Sequence, residues 1–149
     1  MTPGTGDRVE LLDLVSRYAL YADRRDLAGV AGLFTEDAVL VLPDPPGELG
    51  PVRTFTGRDS IVEALSTLND VPVTSHEIVG QVFEADATGH VACVAHHLTE
   101  REPGRISDLA WHMRYTDAYR REDGGWRFAR RALRIDFIET RPVRRRRAG

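Results

Sequence analysis

The apolar positions change rhythm once along the chain. Up to about residue 70 they recur every three or four residues, and from residue 74 onward every two; these are the spacings of amphipathic helix and of half-buried strand. Leu11, Val15, Tyr18, Ala19 and Ala22 define one helix over about residues 7–23. Asp26 is placed to cap a short second helix with Leu27, Val30, Ala31 and Phe34 as its apolar stripe. "FTEDA" ends that helix, and "VLVL" reads as a first short strand. Residues 43–53, "PDPPGELGPVR", hold four prolines and read as a long loop, either a lid or mouth over a site or a surface insertion. Beyond it Ser60 and Glu63 match an S-x-x-E capping box opening a third helix, with Ile61, Ala64, Leu65 and Leu68 on one face.

The period-two region divides into "SHEIVGQVFEAD", "HVACVAHHLTE", "DLAWHMRYTDAYRRE" and "WRFARRALRIDFIE", separated by "DATGH", "EPGRI" and "EDGG". Four antiparallel strands joined by hairpins are predicted. The fold class is therefore α+β, with three N-terminal helices packed on one face of a curved antiparallel sheet. That arrangement leaves a cone-like cavity between the layers, a setting for small apolar ligands. One domain over residues 1–140 accounts for the pattern, and 141–149 forms an arginine-rich tail.

Composition narrows the chemistry. Hydrophobic residues make up 42% and charged residues 29% of the 149, the balance of a globular protein. A single cysteine, Cys93, excludes an internal disulfide and any multi-cysteine metal site, and points to a reducing compartment. All twenty basic residues are arginine, so lysine Schiff-base chemistry and a lysine-bearing phosphate loop are excluded. The net charge of -3 contains an asymmetry, because without "RRRR" at 144–147 there remain sixteen basic against twenty-three acidic groups. An acidic body without aromatics interleaved in the basic tail argues against a nucleic-acid partner. No apolar run reaches the ~20 residues of a membrane span and no secretion signal is evident, so a cytoplasmic protein with no membrane partner is expected.

Four words in order, "RYALYADRRDLAGVAGLFTEDA", "TGRDSI", "TSHEIVG" and "RYTDAYRREDGGWRFARRALRI", cover about residues 8–140. In this the chain resembles the SnoaL-like branch of the nuclear transport factor two superfamily. That branch includes bile-acid 7α-dehydratases, scytalone dehydratase, steroid isomerases and polyketide cyclases beside non-catalytic carriers and subunits. The resemblance implies a cofactor-free, metal-free pocket, a small-molecule substrate and a homodimer. It also implies site positions: Tyr18 for the tyrosine of isomerases and dehydratases, Asp23 for the dehydratases' helix-end aspartate, His76 for the histidine opening their sheet, and Arg134 for their last-strand arginine. Asp117 falls where steroid isomerases carry a protonated aspartate. The isomerase base would fall near Leu42, with only Asp44 nearby after a shift.

The residues themselves allow that chemistry. An imidazole suits proton transfer near neutrality, and a carboxylate beside it fixes its tautomer. His76 with Asp23 is the expected pair, and Tyr18 the donor to developing negative charge. Read structurally instead, Asp23 pairs with Arg24, His76 is a core histidine and Arg134 a rim ion pair. Of His96 and His97, neighbours that point to opposite faces, His97 shares parity with Cys93 and Ala95 and is expected inward. Trp111, Met113, Tyr115, Asp117 and Tyr119 share one strand face, a substrate wall or an ordinary core, and Tyr21 is a further candidate. Two readings follow: a cofactor-independent dehydratase, isomerase or cyclase acting on a small, mostly apolar oxygenated molecule such as a natural-product intermediate, or a non-catalytic ligand-binding or subunit-interface module.

Overall fold

The first helix, α1 (Thr5–Asp23), lays Leu11, Leu14, Val15, Tyr18, Ala19 and Ala22 into the core. Its start is held from the other end of the chain. Asp7 accepts from the Gly4 amide at 2.9 Å, from Trp126 Nε1 at 2.9 Å and from Arg121 at 2.8 Å. A tight turn through Arg25, at φ +60°, leads to α2 (Leu27–Gly32), where the Asp26 side chain accepts from the Gly29 amide at 2.9 Å. Gly29 is required there, because a Cβ would sit 2.4 Å from Asp26 Oδ2 and 2.9 Å from the Tyr21 ring. The computed structural model describes residues 2–146.

Six strands follow in one curved, unclosed mixed sheet: β1 (Phe34–Asp44), β2 (Glu48–Thr56), β3 (Val73–Phe83), β4 (Thr88–Glu102), β5 (Arg105–Glu122) and β6 (Gly125–Val143), in the order β2-β1-β6-β5-β4-β3. Between β2 and β3 lie α3 (Arg58–Leu65) and a 3₁₀ turn over Ser66–Asp70. The helices cover one face of the sheet, and Tyr18, Val30, Phe34, Ile61, Val91, Met113, Tyr115 and Phe128 are among the residues of the core they share.

Several elements differ from the sequence pattern. Phe34 opens β1 instead of closing α2, and residues 43–53 form the β1–β2 hairpin rather than a loop. β1 runs parallel to β6, so the sheet is mixed and not purely antiparallel. Its edge partner β2 tolerates Pro51 because an edge strand leaves half its amides unpaired, while Pro45 and Pro46 fall in the turn and Pro43 at the end of β1. The cap of α3 is Gly57 at φ +86°, where a side chain is strained, and Ser60 therefore stands inside the first turn rather than at its start. Finally β6 continues to Val143, so residues 141–143 belong to the sheet, and 147–149 lie outside the described residues.

β6 also carries two irregularities that set its faces. Opposite β5, Tyr119 pairs with Phe128 while Ala118 pairs with Arg130, which leaves Ala129 as an extra residue. A one-residue bulge reverses the alternation beyond it. Trp126 and Phe128 face inward before the bulge, and Arg131, Leu133 and Ile135 after it.

The outer sheet face carries histidine–carboxylate pairs. His96 Nδ1 lies 2.6 Å from Asp108 Oδ2, and its Nε2 lies 3.2 Å from Glu77. Burial pushes the His96 imidazolium toward neutrality, but the hydrogen bond and charge of Asp108, with Glu77, outweigh it and raise the group above its ordinary 6.5. The stabilisation from this pairing is fully present below 6.5 and disappears as pH rises through the higher folded value. Urea titrations at stepped pH should therefore show wild type losing stability relative to His96→Gln across that window; a pH-independent difference would contradict the pairing. A second expectation concerns Gly89, where a Cβ would sit 2.5 Å from the Tyr119 hydroxyl. Gly89→Ala should cost about 1–3 kcal/mol, whereas Gly80→Ala, with nothing within 4 Å, should cost far less.

Candidate active site

Asp23 is the last residue of α1 and reaches across to the start of β3. Its Oδ2 accepts from the His76 backbone amide at 2.9 Å, and its Oδ1 from Thr74 Oγ1 at 3.0 Å and from His76 Nδ1 at 2.6 Å. Because an ionised carboxylate can only accept, Nδ1 carries the proton, and in the neutral ring Nε2 is the acceptor. Burial pushes the Asp23 carboxyl up, but the ring and amide hydrogen bonds and the charge of His76 overcome it and hold the group below its ordinary 3.8. Arg25 braces the junction, donating to Thr74 Oγ1 at 2.7 Å, to the Val71 carbonyl at 2.7 Å and to the Ala22 carbonyl at 2.9 Å.

His76 lies on the wall of a cavity of about 670 Å³. The sheet side supplies His76, His97, Thr99, Leu109, Trp111, Met113, Tyr115 and Leu133, and α1 supplies Tyr18 and Ala22. The β1–β2 hairpin adds Leu42, Pro43, Asp44, Pro45, Arg53 and Phe55; α3 and the turn after it add Ser60, Glu63, Leu65 and Leu68. A space of this size, apolar over most of its wall with a few convergent polar groups, suits a small organic ligand.

His97 stands beside the first imidazole, with ring centroids 6.4 Å apart. Its Nδ1 donates to the Leu109 carbonyl at 2.9 Å, which leaves Nε2 as an acceptor. Burial holds His97 below its ordinary value, so it stays neutral near pH 7. The indole of Trp111 packs against it at 4.2 Å between centroids. Two buried atoms of wall residues, Trp111 Nε1 and Thr99 Oγ1, have no hydrogen-bond partner among the described residues. Buried polar atoms in this condition are rare and mark places for water or ligand. Tyr18 and Tyr115 meet edge to face at 5.9 Å, and burial raises both phenols above their ordinary value of 10.0 despite the opposing charge of Arg131. Both are donors at neutral pH.

Three candidates lie elsewhere. Arg134 is on the outer sheet face, bonded to Asp136 at 3.0 Å, because the bulge at Ala129 moves the even-numbered residues of that stretch outward. Tyr21 points toward Arg17, which donates to its hydroxyl at 3.0 Å on the solvent side of α1. Asp117 is 1% exposed and outside the cavity wall, where it accepts from Arg131 Nε at 2.9 Å and from the Tyr119 hydroxyl at 2.9 Å. Arg131, fully buried and not singled out by its sequence context, is the functional candidate that alternation alone misses. Its only sequence signal is an arginine within a run that must be mostly interior.

The fold and the wall chemistry define a class: an α+β cone enclosing a pocket with a histidine–carboxylate pair and phenol donors. The chain matches the model of the SnoaL-like domain over residues 5–132, and it belongs to that family. No curated protein matches it at a significant level. Among solved structures, a Novosphingobium aromaticivorans protein provisionally named a scytalone dehydratase is 23% identical, covering 92% of this chain and 89% of its own at a TM-score of 0.71. A Mycobacterium tuberculosis protein of unknown function is 28% identical, covering 86% and 75% at 0.69. A hexachlorocyclohexane dehydrochlorinase, LinA type 2, is 21% identical, covering 97% and 93% at 0.65.

The Asp23 contact has a measurable signature. A depressed folded value means stabilisation that is present above 3.8 and lost as pH falls through the lower folded value. Comparing Asp23→Asn with wild type by urea unfolding, the stability gap should be widest above 3.8 and close in acid. A gap that persists unchanged into acid would show that the carboxylate is not ionised in this bond.

Proposed function

We propose that the protein is a cofactor-independent acid–base enzyme that carries out dehydration by β-elimination on a small, mostly apolar oxygenated molecule, such as a natural-product intermediate. The observation that carries this reading is the 2.6 Å contact between Asp23 and His76 Nδ1 on the cavity wall. A histidine held in this tautomer by a carboxylate is oriented to serve as a general base through Nε2. The family membership supports a small-molecule enzyme, and two proteins of the same fold carry the names of a dehydratase and a dehydrochlorinase, both elimination chemistries.

In the proposed step the substrate is a β-hydroxy carbonyl compound. His76 Nε2 takes the proton from the carbon between the two functional groups, and the electron pair moves onto the carbonyl oxygen. Tyr18 donates a hydrogen bond to that oxyanion, in a dry site where such donors are worth most. The enolate then re-forms the carbonyl and a carbon–carbon double bond as the β-hydroxyl departs, collecting the proton from the imidazolium and leaving as water. Neutral His97 accepts from a substrate hydroxyl through Nε2, and the unpartnered Trp111 Nε1 and Thr99 Oγ1 offer further polar contacts. Asp23 acts as a positioning residue through the imidazole.

The test is a panel of cyclic β-hydroxy ketones, followed by enone absorbance and by exchange of the acidic C–H in D2O. His76→Ala should lower both by about 10²–10⁴-fold and Asp23→Asn by a similar factor, with circular dichroism confirming the fold. Turnover that survives His76→Ala, or a panel wholly inert with the wild type, would remove the elimination reading and leave a binding module.

A further inference from the structure

Among the described residues, the most heavily buried charges lie directly behind the cavity wall. Arg131 and Asp117 have fully buried side chains and sit opposite one another on β6 and β5, bonded at 2.9 Å through Arg131 Nε and 3.3 Å through Nη2. Taking both ions out of water costs several kcal/mol each, and a purely structural role could be filled by apolar residues of the same volume. The pair is also asymmetric. Asp117 faces Tyr119, which donates to it at 2.9 Å, while the guanidinium lies over three aromatic faces, its Cζ 3.6 Å from the centroid of Tyr115, 4.3 Å from Tyr18 and 4.4 Å from Phe128. Arg131 Nη1 has no hydrogen-bond partner among the described residues. Two of the three rings, Tyr18 and Tyr115, line the cavity, and Arg131 itself does not.

Resting on the reading of the cavity as an acid–base site, we propose that the Arg131–Asp117 pair is a fixed dipole whose positive end is turned on Tyr18 and Tyr115. It makes that wall the side of the pocket that receives an oxyanion. Arg131 is thus a positioning and electrostatic residue acting through the phenols. A cation held over a phenol face draws density from the ring and strengthens the O–H as a donor. Of the two charges, Arg131 bears more strongly than Asp117 on both phenols, as its nearness to the rings requires. The ligand class that follows is a flat carbonyl or phenolic compound whose oxygen gains negative charge, lying with that oxygen toward α1 and its acidic C–H toward His76.

The probes are para-nitrophenol, whose ionised form absorbs visibly, and neutral para-nitroanisole. In Arg131→Met/Asp117→Leu/Tyr119→Phe the dipole is replaced by apolar groups, a change that folds tolerate. The preference for bound phenolate over bound phenol should fall about tenfold from wild type, the equivalent of one pKa unit, with nitroanisole affinity unchanged. Asp117→Asn removes only the negative end and should raise the preference above wild type. Tyr18→Phe/Tyr115→Phe should lower it in both backgrounds and erase the tenfold difference between wild type and triple variant. A preference equal in wild type and triple variant, or lowered by Asp117→Asn, overturns the dipole while leaving the pocket. Failure of wild type to bind either probe overturns the pocket reading and the dipole with it.

Discussion

The carboxylate of Asp23 joins the two layers of the fold beside the cavity wall. It stands at the carbonyl end of α1, where the helix dipole disfavours a negative charge. Three hydrogen bonds from β3, two from His76 and one from Thr74, offset that disadvantage. The consequence is reciprocal. A carboxylate in a disfavoured place holds its donors strongly, so the helix end is fastened to the sheet and the imidazole is locked in one tautomer by the same atoms. Arg25 makes the joint stiffer, since its guanidinium ties the α1 terminus to the backbone before β3.

Around that joint the cavity divides its polarity by element. β3 and β4 bring two imidazoles, one tied to a carboxylate and one kept neutral by burial. α1 and β5 bring two phenols, with a buried guanidinium behind them from β6. The imidazoles and the phenols thus line one space from different layers. In the elimination proposed above, this separation keeps base and oxyanion donor from neutralising each other.

Much of the fold was legible in the residues. The change from period three-and-a-half to period two located the helices and the four long strands, and "TSHEIVG" placed His76 near Asp23 through its likeness to a family. Three features were not legible. The proline-rich hairpin was disguised because its prolines sit in the turn, at the end of β1 and on the edge strand β2, and the parallel pairing of β1 with β6 is a long-range contact without a local signature. Ser60 and Glu63 imitated a capping box, whereas the helix starts at Gly57 without a side-chain cap hydrogen bond.

The assignment of the arginines shows where local pattern stops. Counting by twos from Trp126 and Phe128 carries Arg134 to the interior, and one extra residue at Ala129 carries Arg131 there in its place. The bulge is invisible in the sequence because it depends on how β6 accommodates β5. Asp117 illustrates the same limit, since its strand face was readable but its cover of Arg131 and Tyr119 was not. Residue spacing by itself determined which segments are helix or strand and which side chains could do acid–base work. Only the tertiary structure decided which of them share the cavity, because facing is set by strand register and by contacts between residues far apart in the chain.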